Sequence, residues 1–227
     1  MKQTPALDIA NPDLLAIIPR QSACVVEVGS GSGALARAFK AICPACHYTG
    51  VEIEADYAKA SARFCDRVVH ASIESLDEQT FESLFPSDCW IFGDSLEHLV
   101  DPWHLLAKIR KSIDPAGCVV ACIPNAQHWS VQARLACGLF RYEDSGLLDR
   151  THLRWFTRQT IVEMFTAAGY SIVDGGSRVL DDAAKRELVL PAIAAFARAI
   201  TADPEEAMRD AVAFQYVVRA VPCSMQA

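Results

Sequence analysis

The chain has 227 residues, 52% of them hydrophobic, and a formal net charge of −7. That length and apolar content suit one α/β domain with a sizeable core and leave little room for a second. With no Lys/Arg block or basic stripe, the acidic balance argues against nucleic acid as the main partner and against a membrane-surface role.

Residues 1–20 lack the apolar core of a signal peptide, and no stretch is apolar and long enough to span a bilayer. Most of the nine cysteines sit in apolar runs, as Cys24, Cys89, Cys118 and Cys122 do. They read as small buried hydrophobes of a reducing compartment, so a cytoplasmic protein is expected. Cys43-Pro44-Ala45-Cys46-His47 matches a CxxCH haem-attachment pattern, or half a zinc site. No second CxxC accompanies it, so it reads as a tight connection, and no metal is expected.

Cys24–Val28 is a short apolar strand that feeds Gly29-Ser30-Gly31-Ser32-Gly33, and a helix-forming run, Ala34 to Ile42, follows at once. Such a turn lets a nucleotide-like ligand approach the backbone, with the helix N-terminus aimed at its polar end. Glu27 lies inside the apolar strand, where a carboxylate is costly without a partner, so it serves the loop or the ligand. Gly29, Gly31 and Ala34 also satisfy the GxGxxG/A pattern of dinucleotide-binding oxidoreductases, so the loop alone leaves both ligand classes open.

His47 to Ile53 reads as the second strand, ending in Glu52 about twenty residues after the glycines, where an acid accepts ribose hydroxyls. A helix from about Asp56 to Cys65 and a short strand, Arg67 to His70, come next. Phe81 to Phe85 belongs to a helix or turn, and Cys89 to Asp94 is the fourth strand. Asp101-Pro102 starts a helix, with Asp as the cap, Pro in the first turn, and an apolar face of Leu105, Leu106, Ile109 and Ile113. A turn at 114–117 leads into the fifth strand, Cys118 to Ile123. Residues 125–156, rich in aromatics, histidines and arginines, break the alternation. A helix from Thr157 to Ala168 closed by Gly169, a strand from Tyr170 to Val173, a helical insert over 181–211 and a final strand from Phe214 to Ala220 complete the pass. Alternating strands and helices imply βαβ units and a parallel sheet, and the insert suits a last strand that turns back antiparallel.

The strand, Glu27 and the glycines resemble the first motif of class I S-adenosylmethionine-dependent methyltransferases. Asp94-Ser95-Leu96-Glu97-His98-Leu99-Val100-Asp101-Pro102 is similar to the D-x-LEH-x-x-DP segment of members acting on small molecules. Pro124-Asn125-Ala126-Gln127-His128-Trp129, then Gly138, Phe140 and Tyr142, then Leu148 to Thr157 resemble a bacterial subgroup often encoded near glycosyltransferases or in secondary-metabolite clusters. The resemblance implies a Rossmann-like doubly wound sheet of about seven strands, mostly parallel, with helices on both faces. It implies one domain over 1–227, with a lid at 125–156 and a helical insertion at 181–211.

The implied cofactor is S-adenosyl-L-methionine. Glu27, Gly29, Ser30, Gly31, Gly33, Glu52, Ile53, Ser72, Ile73, Asp94, Ser95, Leu96 and His98 would bind it. Ser72 stands where relatives often carry an Asp that accepts the adenine amino group, and a hydroxyl can accept the same bond. Asp94 would face the methionine portion, with Glu97 and His98 beside it. His128 and His152 are the candidate bases, because imidazole titrates near neutral pH. Arg150 and Arg154 would grip a phosphate or carboxylate, or pair with Asp144 or Asp149 to hold the loop. Trp129, Phe140, Tyr142 and Trp155 would wall an apolar or sugar-stacking pocket. The expected activity is methyl transfer to an O or N atom of a small molecule or glycan by a monomer or homodimer. A non-catalytic partner of a biosynthetic enzyme and an NAD(P)-dependent oxidoreductase are the alternatives.

Overall fold

The computed structural model describes residues 8–223. Five strands, β1 (Cys24–Val28), β2 (His47–Glu52), β3 (Arg67–His70), β4 (Cys89–Gly93) and β5 (Cys118–Pro124), pair in parallel. β6 (Tyr170–Arg178) and β7 (Gln215–Pro222) complete one sheet of order β3-β2-β1-β4-β5-β7-β6. β7 runs antiparallel to both neighbours, as the long helical insert before it suggested. The helices are α1 (Pro12–Ile17), α2 (Ala34–Ile42), α3 (Ala55–Ser61), α4 (Glu78–Glu82), α5 (Pro102–Arg110), α6 (Trp129–Ala136), α7 (Arg158–Ala167), α8 (Ala183–Ala199) and α9 (Pro204–Val212).

Both sheet faces are covered, so the central strands read as unbroken apolar runs with no period of two. All of β5 is buried. Val26, Phe92, Val119 and Ala121 pack with Leu106, Ile109 and Phe165 on one face. Val25, Tyr48, Ile91 and Val120 pack with Leu14, Leu35 and Phe39 on the other. Cys89, Cys118 and Cys122 are buried in that second layer, in line with their reading as small hydrophobes. The CxxCH stretch is the tight connection from α2 to β2, with Cys43 and Cys46 as free thiols. Among the described residues, no helix is long and apolar enough to cross a membrane.

Beyond shifts of a few residues at other element ends, such as α4 at Glu78–Glu82 where Phe81 to Phe85 was expected, the elements depart from the sequence reading in four places. α1 was not expected, although Asn11 caps it and Pro12 opens it, a recognisable helix start. α3 stops at Ser61 and tight turns carry the chain to β3. β6 continues five residues past Val173, since pairing with β7 carries it through a register shift near Asp174 to Arg178. Within 125–156, Trp129 to Ala136 forms α6.

Asn125 shows how the Pro-Asn pair organises the region beyond β5. Its buried amide nitrogen donates to the carbonyls of Asp210 and Ala213 at 2.8 and 2.7 Å, and its side-chain oxygen accepts from the Gln127 N–H at 2.9 Å. One amide therefore ties the end of β5 to α9 and shapes the turn into α6. The α8–α9 insert docks on α6 through Trp129, Ile193 and Ala211, ordinary core packing for its apolar run.

The last glycine of the loop has a packing duty. Gly33 caps α2 at φ 82°, and a Cβ there would stand 2.9 Å from Ser61 Cα. Gly33→Ala is expected to cost about 2–4 kcal/mol, from left-handed strain plus displacement of α3. Denaturant titration checks this, and a loss below about 0.5 kcal/mol would overturn it.

Candidate active site

The sheet order reverses between β1 and β4, and a cavity of about 850 Å³ opens beyond the carboxyl ends of these strands. Its floor is the glycine turn. The Gly29 N–H donates to the Val51 carbonyl at 2.8 Å, and Glu52 Oε2 accepts from the Gly31 N–H at 2.8 Å. Glu52 Oε1 accepts from the Glu54 N–H at 2.9 Å. This buried acid thus braces the loop to the end of β2, and a carboxylate still has lone pairs to offer a ligand.

Glu27 lines the same cavity and is only 5% exposed. Tyr48 on the adjacent strand donates its hydroxyl to Glu27 Oε2 at 2.9 Å. Burial pushes the Glu27 carboxyl up to about 8, the Tyr48 bond opposes the shift, and the nearby Glu52 charge adds to it.

Three observations test the fit to an adenosyl ligand. Ser30 Oγ and Ser95 Oγ, both lining the cavity, are buried without a hydrogen-bond partner among the described residues. Gly29, at φ 78°, leaves 3.2 Å between a would-be Cβ and Ser95 Cβ, so the turn can carry no side chain there. Ile53, Ser72 and Ile73 line the cavity beside Glu52, an apolar slot with one hydroxyl. Unpaired hydroxyls, an apolar slot and an acid at the end of β2 are donors and acceptors of the kind that a ribose and an adenine need.

The opposite side is built by the segment after β4. Asp94 takes a left-handed φ of 56°, unusual for a residue with a side chain and typical of functional turns. Gln215 donates to Asp94 Oδ1, Arg178 donates to Gln215 Oε1 at 2.6 Å, and Asp13 Oδ2 accepts from Arg178 Nε at 2.7 Å. Asp94 keeps accessible surface because it faces the cavity, yet the surrounding protein desolvates it. That raises its carboxyl to about 6 against the opposing pull of Arg178.

Glu97 is the most isolated polar group here. It is 1% exposed, and neither carboxyl oxygen has a hydrogen-bond partner among the described residues. Burial, reinforced by Asp94, pushes its carboxyl well above the usual range. His152 Nε2 lies 4.0 Å from Glu97 Oε1, and the His98 and His152 rings meet edge to face with centroids 4.9 Å apart. All three residues line the cavity.

A methyltransferase-domain family model matches residues 7–174 of the chain. The chain belongs to this family of S-adenosylmethionine-dependent methyltransferases. No curated protein matches it. Solved structures similar to this methyltransferase include the chain in complex with the Trm112 methyltransferase activator of Haloferax volcanii. That likeness has 17% identity, covers 93% of this chain and 88% of that one, and gives a TM-score of 0.59. The plantazolicin methyltransferase BpumL, solved with S-adenosylhomocysteine, matches at 12% identity over 89% and 77% of the two chains, with a TM-score of 0.58. Magnesium protoporphyrin IX methyltransferase from Synechocystis, also solved with S-adenosylhomocysteine, matches at 12% identity over 92% and 78%, with a TM-score of 0.57. At these identities the likeness is one of fold.

The cavity of the methyltransferase gathers most of the residues picked from sequence, but its described lining omits several. Leu96 is fully buried in the core, and Gly33 packs against Ser61. His128, 2% exposed, caps α6. Its ring contacts the Ser130 hydroxyl at 2.8 Å, its Nε2 lies 3.9 Å from Asp181, and burial lowers its pKa to about 4. Trp129 donates to Asp181 at 2.6 Å and anchors the α8–α9 insert. Arg150 pairs with Asp144 at 2.7 Å on the surface, the loop-holding option, and Arg154 donates to the Val100 carbonyl and lies over the Trp103 ring. Tyr142 is 61% exposed, with its ring against Phe140. Trp155 packs with Phe140 and edge to face against His152, one ring removed from the cavity.

Lining residues missed in the sequence come from distant places: Asn11 and Leu14 at α1, Tyr57 on α3, and Arg178 and Gln215 at the ends of β6 and β7. Only the Asn11-Pro12 cap had a local signature. Arg178 and Gln215 reach Asp94 through the antiparallel pairing of β6 and β7, which no local pattern announces.

Proposed function

We propose that this methyltransferase transfers a methyl group to an oxygen or nitrogen atom of a small molecule or glycan. The observation that carries the reading is the continuity of one cavity. The glycine turn and Glu52 lie at one side of it, and the partnerless Glu97 with His98 and His152 lies at the other. Its volume of about 850 Å³ is in the range of pockets that hold a cofactor with a compact acceptor.

When bound, S-adenosylmethionine supplies an electrophilic methyl group on a sulfonium. Glu52 holds the ribose hydroxyls, Ile53, Ser72 and Ile73 hold the adenine, and Glu27 and Asp94 face the ammonium of the amino-acid end. Ser30, Gly31, Ser95 and His98 complete the binding surface. Residues 145–149 contribute Ser145, Gly146, Leu147 and Asp149 to the lining, which supports residues 125–156 as a lid that excludes water. His152, with Glu97 beside it, is where the acceptor's proton is managed. His128 is a helix cap in this reading, and Trp155 orients His152.

Calorimetric titration with S-adenosylhomocysteine, with NADH in parallel, tests the reading, followed by methyl-transfer assays on hydroxylated and amine acceptors. Micromolar binding of S-adenosylhomocysteine alone, with turnover on a sugar, phenol or amine, is the expected result. Binding of NADH alone would overturn it. Binding without turnover on any acceptor, together with a co-purifying biosynthetic enzyme, would replace it with a non-catalytic partner role.

A further inference from the structure

We propose that Glu97, His98 and His152 form a divalent-cation site that opens into the acceptor side of the cavity and takes a first-row transition ion such as Zn²⁺ or Mn²⁺. One ligand atom from each residue lies within 4.8 Å of the other two. Metal ligands about 2.0–2.2 Å from the ion stand about 3–3.5 Å apart. The cluster therefore closes onto an ion with side-chain movements of about an ångström.

Two features set this cluster apart from a chance meeting of polar groups. The first is Glu97, 1% exposed with both carboxyl oxygens unpartnered. A buried acid that neither neighbouring imidazole reaches at hydrogen-bond distance keeps both oxygens free to bind a cation, whose charge would offset the cost of ionising the carboxyl there. The second is the support behind each imidazole. His98 donates its Nδ1–H to the Thr151 carbonyl at 3.1 Å, the tautomer that keeps Nε2 free as a ligand. Thr151 is itself held, its N–H and hydroxyl both donating to Asp149 Oδ1 at 2.7 Å. His152 is flanked by Trp155, ring edge to face. A backbone carbonyl behind the imidazole and a held outer layer are the usual surroundings of metal-binding histidines.

Two imidazoles and one carboxylate leave coordination positions open, here toward the cavity. An acceptor would fill them with a hydroxyl, or with two adjacent oxygens, so the cation favours oxygen acceptors and lowers the pKa of the coordinated hydroxyl, whose proton is released to solvent; with the ion bound, His152 acts on the acceptor as a ligand of the cation and not as a base. This acceptor assignment rests on the methyl-transfer reading above. The cation site itself does not.

The test uses the full chain, stripped with a chelator and titrated with Zn²⁺ by calorimetry and with Mn²⁺ by electron paramagnetic resonance. S-adenosylhomocysteine titration of the same samples runs beside them. The wild type is expected to bind about one equivalent of cation at micromolar or tighter affinity. Glu97→Gln and His152→Ala are each expected to weaken it by about 100-fold, with S-adenosylhomocysteine affinity kept within about threefold. Mn²⁺ discriminates against adventitious thiolate sites, because it prefers oxygen and nitrogen ligands. A wild-type chain that binds S-adenosylhomocysteine but no cation would overturn the proposal and leave the methyltransferase reading intact. Equal cation binding by both variants would place the ion elsewhere and overturn it too. Cation binding lost in both variants, with no S-adenosylhomocysteine binding by any sample, would support the cation site while removing the cofactor reading.

Discussion

Glu52→Ala is expected to weaken S-adenosylhomocysteine binding by about 100-fold or more, the largest effect of any single change at the cofactor end. Two consequences add. The substitution removes the acceptor for the ribose hydroxyls, and it frees the Gly31 and Glu54 N–H groups that Glu52 now holds at 2.8 and 2.9 Å. Hydrogen bonds to a charged group contribute about 1.5–3 kcal/mol each, so losing two reaches the 100-fold range even when part of the loss is recovered by water. Glu52→Gln separates the terms, because its amide oxygen can accept one bond but its NH₂ repels the second donor. An intermediate loss is expected for it. Calorimetry on both variants checks the ordering, and an alanine variant that binds within about threefold of wild type would sink the assignment.

Glu27→Gln is expected to change the pH dependence of stability strongly. The Glu27 carboxyl is pushed from 4.5 to about 8 by burial. Between those values the native protein holds a proton that the unfolded chain has released, so native stability falls as pH rises and levels off above about 8. At about 1.4 kcal/mol per pKa unit, the loss across the window is about 3–5 kcal/mol. Glutamine cannot ionise and can still accept the Tyr48 hydroxyl. The ligand-free variant should therefore match wild type near pH 5 and exceed it near pH 8 by about 10 °C in Tm. Glu97 also titrates upward, so the difference between the two proteins, and not either curve alone, carries the test. Parallel curves would show that Glu27 is not the residue responsible.

The amino-acid sequence by itself determined the strands β1 to β5, their parallel pairing and the glycine turn. The physical reason is local. Unbroken apolar runs, Gly residues at positive φ and the Asp101-Pro102 cap each act within a few residues of one another. It also marked Glu27 and Glu52, because an acid in or at the end of an apolar strand is conspicuous against its neighbours. The family motifs likewise pointed to the right ends of β1, β2 and β4.

Only the tertiary structure decided which polar residues share the cavity. His128 and His152 look alike in the sequence, each in an aromatic-rich stretch. The chain turns His128 inward as the cap of α6, held near Asp181 by the docked insert, whereas the 151–154 backbone pairs with the Glu97 carbonyl and delivers His152 to the cavity. Arg150 and Arg154 are likewise drawn to Asp144 and the Val100 carbonyl by partners brought close in space. Conversely, Gln215 on β7 reaches Asp94 and is itself held by Arg178 on the edge strand β6, and the Glu97–His98–His152 cluster joins two segments more than fifty residues apart. A periodic pattern records which face of an element is apolar. It carries no record of which distant element arrives to meet a polar side chain, and that meeting decides whether the group becomes a cap, an ion pair or part of the site.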